Sequence, residues 1–274
     1  MTAPTRRKRR TMVMEVIATE RLTEHLVRVH IGGPALAEFA DNGQTDHYVK
    51  IHFAKPELGL IPPYDLDVLR EQLPPEDLPV TRTYTIRSVG ADSLAIDFVV
   101  HGDDGIAGPW AAAAKPGDLV AFSGPGGAYR PDPAADAHLL AGDESALPAV
   151  AAALEELADQ LPDAVGTAYL EVYGPDDELP LRAPRGFDIR WLHRGSTVAG
   201  TSTVLSDAVA AHPWPSGRVQ VFAHGERECM KAIRDVMKAR QVPRSDLSLS
   251  GYWAYGRTED RFQAEKREPI GVVL

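Results

Sequence analysis

The chain has 274 residues, 44% of them hydrophobic, 25% charged and 7% aromatic, with a formal net charge of -10 and a single cysteine. That length exceeds the usual single domain and the composition is that of an ordinary globular protein, which excludes the disordered, fibrous and collagen-like classes. One cysteine, Cys229, excludes an internal disulfide framework and a cysteine-cluster metal site, fits a cytoplasmic location, and sits in a helical run where core packing is its ordinary use.

The chain opens on an unbroken basic block, Arg6 to Arg10. Without it, 24 basic residues face 39 acidic ones, so the body should repel nucleic acid. The block itself reads first as a solvated tail, with an arm for nucleic acid or an anionic surface as the alternative. It is not a secretory n-region, because Glu15, Glu20 and Arg21 break up the segment between Thr11 and Leu22. No stretch approaches ~18 apolar residues, so no membrane span is expected.

From Thr11 to about Ser123 short alternating runs are separated by Gly, Pro and Asp, the pattern of an antiparallel sheet or barrel. The predicted strands are Val13 to Ala18, Leu26 to Ile31, Val49 to Phe53, Thr81 to Arg87, Leu94 to Val100 and Leu119 to Ser123. Six strands predict a closed barrel. Lys55 to Pro79, rich in proline and acidic residues, reads as a long surface loop. The turn-forming Pro131-Asp132-Pro133 then marks a change of texture. Strands at His138 to Ala141, Thr167 to Tyr173, Phe187 to Leu192, Arg218 to Phe222 and Asp246 to Ser250 alternate with helical runs at Leu147 to Leu161, Thr201 to Ala211 and Glu226 to Arg240. Such alternation predicts a mostly parallel, doubly wound sheet with helices on both faces. The expected domains are 11–130, a barrel, and 136–274, an α/β unit.

The chemistry concentrates in a few places. On the fourth strand, Arg82-Thr83-Tyr84-Thr85-Ile86-Arg87 places Arg82, Tyr84 and Ile86 on one face and Thr83, Thr85 and Arg87 on the other. A flavin needs an aromatic plate, a donor at its polar edge and a cation for its diphosphate, and Arg82, Tyr84 and Thr85 supply these. An ordinary strand with cross-strand charge pairs has the same composition. Asp97 to His101, then Gly102 and the run Gly105 to Trp110, make a strand end, a Gly-rich turn and a helix opening at Pro109, an arrangement suited to an anion and also to plain packing. Gly124-Pro125-Gly126-Gly127 lacks the third spaced glycine and the helix of a dinucleotide fingerprint, so it reads as a tight turn. No P-loop, G-x-S-x-G elbow or zinc spacing occurs.

Taken together, Arg82 to Arg87, Asp97 to Trp110 with Lys115-Pro116-Gly117-Asp118, Gly142 to Ala149, and Ser250-Gly251-Tyr252-Trp253 with Gly256-Arg257 resemble the siderophore-interacting proteins, FAD-binding ferric-siderophore reductases related in fold to the ferredoxin reductases. The resemblance runs from about Met14 to Glu265, with four motifs in the family's order. It implies an antiparallel flavin-binding β-barrel followed by a doubly wound α/β nucleotide-binding domain. It also implies FAD as cofactor, NADH or NADPH (or a ferredoxin) as electron donor, and a ferric siderophore as acceptor. The implied barrel contacts are Arg82, Thr83, Tyr84, Thr85, Asp97, Val99, His101, Gly102, Ala107, Gly108 and Trp110. In the second domain they are Asp143, Glu144, Ser145, Ala146 and Trp253. No protein group is expected to act as a covalent catalyst and no metal is expected to be protein-bound.

Asp143 to Ala146 occupy the turn where relatives of the ferredoxin-reductase type carry a glycine-rich loop. Their acidity disfavours a second diphosphate, and Asp143 or Ser145 also suits a helix cap. Ala223-His224-Gly225-Glu226 sits where relatives shape the nicotinamide pocket, and it equally reads as a plain Gly turn. Many ferric siderophores are anionic. Lys50, Lys55, Arg130, Arg257 and Lys266 are therefore candidate substrate contacts, although an ordinary solvated surface charge is the first reading of each. Two alternatives stand beside this reading: a related flavin or ferredoxin-type oxidoreductase with another acceptor, and a non-catalytic siderophore-binding flavoprotein.

Overall fold

A computed structural model describes residues 11–102 and 105–274 of the chain. The basic block at Arg6 to Arg10 lies outside the described residues. Contacts divide the chain into two compact units: residues up to Arg21, Val27–Asn42 and His47–Gly127 form the first, and Leu22–Leu26, Gly43–Asp46 and Ala128–Leu274 form the second.

The first unit is built on strands β1 (Thr11–Arg21), β2 (Leu26–Gly32) and β3 (Tyr48–Phe53), helix α1 (Leu66–Gln72), strands β4 (Val80–Val89) and β5 (Ser93–Val99), helix α2 (Ala107–Ala113) and strand β6 (Leu119–Gly126). The strands close into a barrel in the order β1-β2-β5-β4-β3-β6. Period-two alternation sends Val27, Val29 and Ile31, Val49, Ile51 and Phe53, and Leu94, Ile96 and Phe98 into one buried cluster with Ile86 and Phe122. On the outer side of that wall Arg28 donates to both oxygens of Asp97, at 2.6 and 2.8 Å, so a charge alternating with apolar residues is neutralised where it is buried. One departure concerns Lys55 to Pro79, which holds α1 rather than an unbroken loop. Asp65 caps α1 by accepting from the amides of Asp67 (3.1 Å) and Val68 (3.3 Å), a start signal that the surrounding prolines had masked.

The second unit contains β7 (Ala137–Gly142), α3 (Leu147–Gln160), β8 (Val165–Val172), β9 (Gly186–His193), α4 (Val204–Ala210), β10 (Val219–Glu226), α5 (Arg227–Ala239), β11 (Leu247–Trp253) and α6 (Glu259–Glu265). Its sheet, in the order β11-β10-β7-β8-β9, is parallel throughout. Leu139, Ala141, Val221 and Ala223 face a core shared with Leu205 and Val209 of α4 and with Met230, Ile233 and Met237 of α5. Gly142 has the opposite parity, and a Cβ there would meet Ala146 Cβ at 2.8 Å, so α3 covers the other face. The sequence pattern did not indicate α6, whose start is marked by Thr258 accepting from the amide of Arg261 at 3.4 Å.

Candidate functional site

The barrel carries the first group of candidate residues. Register pairs Tyr84 with Val49 and Arg82 with Ile51. Val49 and Ile51 are core residues, so Arg82, Tyr84 and Ile86 share the inner face of β4. Tyr84 is half-buried rather than sealed. Its ring lies 4.3 Å from that of Phe98, which in turn neighbours Trp110 at 5.5 Å, so the tyrosine plate is backed by aromatic packing. Thr83 and Thr85 take the opposite face, opposite Lys50 and Tyr48. A bulge between Ile86 and Ser88 ends the strict alternation at Arg87.

At the end of β5, His101 is exposed and Val99 is half-buried. Helix α2 starts at Ala107, two residues before the expected Pro109, because Ala107 and Ala111 pack into the barrel core and draw the helix start inward. Gly108 is what allows this approach: a Cβ there would lie 3.2 Å from the Val99 carbonyl oxygen. The structure therefore brings Arg82, Tyr84, Val99, Gly108 and Trp110 into one region of the barrel, a donor set of cation, aromatic plate and close-lying backbone that suits FAD. Asp97 is different, since its carboxylate is taken up by Arg28.

The second group lies at the carboxyl ends of the parallel strands. Asp143, only 7% exposed, accepts from the Ser145 amide (3.0 Å) and hydroxyl (2.5 Å), the Glu226 amide (2.8 Å) and Trp253 Nε1 (2.8 Å). That carboxylate joins the ends of β7, β10 and β11. Gly225, at φ +151°, leaves room for it, since a Cβ would sit 2.7 Å from Asp143 Oδ2. The expected helix cap is corrected here. Ala146 is the N-cap of α3 and has no side-chain cap bond, because the Asp143 side chain folds back into its own turn and towards the neighbouring strands.

Glu144 forms a buried ion pair with Arg194, and burial pushes its carboxyl above the ordinary range against the pull of that arginine. Two groups that the sequence motifs did not single out as site residues, Glu171 near the end of β8 and Cys229 in the first turn of α5, share the resulting crevice with Glu226. The crevice admits about one water molecule. Burial, aided by the Asp143 charge, raises Glu171 to about 7. A lone carboxylate in the apolar run Ala168 to Val172 was the available signal. Glu226 caps α5 by accepting from the amides of Glu228 (2.6 Å) and Cys229 (2.9 Å), and its other oxygen accepts from Tyr255 at 3.1 Å. Burial raises the Cys229 thiol, which keeps it protonated and inert. His224, lowered to about 3 by burial, is neutral and bonds Ser248 at 3.0 Å.

The candidate substrate cations are spread over both units. Lys55 pairs with Asp77 at 2.7 Å, Arg130 with Glu156 at 2.8 Å, and Arg257 with Glu265 at 2.8 Å. Lys266 lies 4.6 Å from the Phe262 ring centroid. Lys50 has no ion-pair partner among the described residues.

With that geometry in view, comparison with known proteins gives a consistent result. Residues 15–129 match the model of the siderophore-interacting FAD-binding domain, and residues 135–256 match that of the siderophore-interacting protein. The chain is 33% identical to the ferric vibriobactin reductase of Vibrio cholerae over 271 residues, covering 93% of each. It is 28% identical to an NADPH-dependent ferric-chelate reductase of Escherichia coli over 243 residues, 88% of this chain and 91% of the relative. A solved siderophore utilization protein from T. fusca superposes with a TM-score of 0.80 at 39% identity, covering 91% of this chain and 94% of that one. With solved ferredoxin reductases at lower identity the chain shares the fold alone.

Two outcomes test this electrostatic arrangement. Asp143→Ala strands buried donors on three strand ends and should cost about 3 kcal/mol or more in urea unfolding, far above an exposed substitution. Glu171 has a folded value above its ordinary 4.5, so its contribution to stability is complete below about 4.5 and is lost as pH rises through about 7. Glu171→Gln should therefore be stabilised relative to the parent at pH 8 compared with pH 4.5, by at most about 3 kcal/mol. A difference independent of pH would refute that assignment.

Proposed function

The chain belongs to the siderophore-interacting protein family and is an FAD-dependent oxidoreductase, and on that premise we propose that it takes electrons from NADH or NADPH, reduces Fe(III) held in a siderophore to Fe(II) and so releases the iron. In this reading 11–130 is the FAD-binding domain and 136–274 the NAD(P)-binding-like domain. The observation that carries it is β4, where Arg82 and Tyr84 share a face, Phe98 backs the tyrosine at 4.3 Å, and Gly108 lets α2 press against β5.

Bound FAD supplies the conversion between a two-electron donor and a one-electron acceptor. The chain's residues bind and orient. Tyr84 offers its ring to the isoalloxazine and Arg82 its charge to the diphosphate, with His101, Gly102 and the start of α2 alongside, while Thr83 and Thr85 lie on the other face of β4. Lys50 and Lys55 in the first unit, and Arg130, Arg257 and Lys266 in the second, are each proposed as candidate contacts for an anionic ferric complex, and Lys55, Arg130 and Arg257 would exchange their present partners to serve. Fe(II) is softer and less charged than Fe(III), so hard oxygen ligands hold it less tightly and it leaves. The iron is substrate throughout.

Anaerobic stopped-flow spectroscopy tests the reading. NADH or NADPH should bleach the flavin, and a ferric siderophore should then restore its colour while a ferrous chelator develops absorbance at a matching rate. Restoration by other acceptors but never by a ferric complex would favour a related oxidoreductase, and no restoration at all a binding protein. Arg82→Ala should weaken FAD binding by about tenfold to a hundredfold, measured by fluorescence titration of the apoprotein.

A further inference from the structure

In a doubly wound sheet a nucleotide lies outside the carboxyl ends of the strands, at the point where strand order reverses. In the order β11-β10-β7-β8-β9 that point falls between β7 and β10, and β8 is the second strand of the unit. Where a nicotinamide nucleotide binds such a sheet, an acid beyond the first turn accepts a hydrogen bond from the ribose 2′-hydroxyl, whereas an arginine accommodates a 2′-phosphate. Glu171 is the penultimate residue of β8, beside the end of β7, with Leu170 paired to Gly142. It is 6% exposed and lines the crevice, which admits about one water molecule.

The cations at the end of β9 are already engaged. Arg194, after β9, is held by Glu144 and lies 5.9 Å from the Tyr173 ring centroid, and His193 bonds Glu178 at 2.8 Å. Beyond β8 the chain continues through Asp176, Asp177 and Glu178. A phosphomonoester brought here adds about -1.5 to -2 of charge next to carboxylates.

We propose that Glu171 determines donor specificity: it accepts a hydrogen bond from the ribose 2′-hydroxyl of NADH and excludes the 2′-phosphate of NADPH, while Glu144 keeps Arg194 from receiving that phosphate. The inference rests on the reading that a nicotinamide nucleotide supplies the electrons. It departs from the donor in the name of the Escherichia coli relative. The groups facing Glu171 are Asp143 and Glu144 from the β7–α3 turn, Arg194 from the end of β9, Ser202 from the segment before α4, and Glu226 and Cys229 from the β10–α5 junction. Three of the six are acidic, and burial, aided by Asp143 and Glu144 against the pull of Arg194, raises its carboxyl to about 7. Its charge, and with it the discrimination, therefore grows as pH rises.

The test is steady-state kinetics of the FAD-loaded protein with NADH and with NADPH at a fixed ferric-siderophore concentration, from pH 6.5 to 8.5. At pH 8 the kcat/KM for NADH should exceed that for NADPH by about tenfold or more. The ratio should fall towards pH 6.5. Glu171→Gln should remove most of the preference, chiefly by lowering KM for NADPH, and should flatten the pH dependence. Glu171→Asp keeps the charge and should keep the preference, which provides a second variant if the first does not fold. Equal or better use of NADPH by the parent at pH 8, or an unchanged preference in Glu171→Gln, overturns the proposal. If neither nucleotide bleaches the flavin while dithionite-reduced protein still reduces the ferric siderophore, the donor proposal fails and the reductase reading survives.

Discussion

The carboxyl edge of the parallel sheet depends on one buried carboxylate. Asp143 accepts from Ser145, from the backbone of Glu226 and from the indole of Trp253, so three strand ends keep their relative positions through a single side chain. A charge at that depth is tolerable only because its lone pairs are filled, and the same donors would be costly to bury alone. The acidic character of the neighbouring crevice follows from this choice. With Asp143 charged in its place, burial and its field raise Glu171, and Arg194 serves to neutralise Glu144 instead of awaiting an external anion.

The barrel solves a different problem. Its wall must be apolar inside yet present a cation and an aromatic ring on the same side of one strand. On β4, Ile86 is sealed in the core while Tyr84 is half-buried and Arg82 comes two residues earlier. Phe98 packs against the tyrosine and is itself backed by Trp110, so the ring has aromatic support on one side before any ligand arrives. Preorganisation of this kind favours binding of a flat cofactor without demanding a movable loop.

Much of the fold was legible because the barrel strands alternate and the sheet strands are short apolar runs set between helical periods, two patterns that local physics keeps distinct. The motifs at Arg82 to Arg87 and Asp97 to Trp110 were legible for the same reason: their residues act from consecutive positions on a single strand or turn. Helix α1 was hidden because proline and acidic residues dominate its surroundings, although Asp65 supplied an ordinary cap. The role of Asp143 was misread as a helix cap, since a local reading cannot see that Glu226 and Trp253, 83 and 110 residues away, compete for the same oxygens.

The sequence alone determined the two architectures, the strand carrying Arg82 and Tyr84 and the acidic turn at Gly142, because each is written in residues close together along the chain. Only the tertiary structure decided which carboxylates share a crevice, that Asp97 is occupied by Arg28 and Arg194 by Glu144, and that Glu171 titrates near neutrality. Burial and charge pairing depend on distances in space between residues that sequence order leaves far apart, and those distances exist only once the strands have aligned.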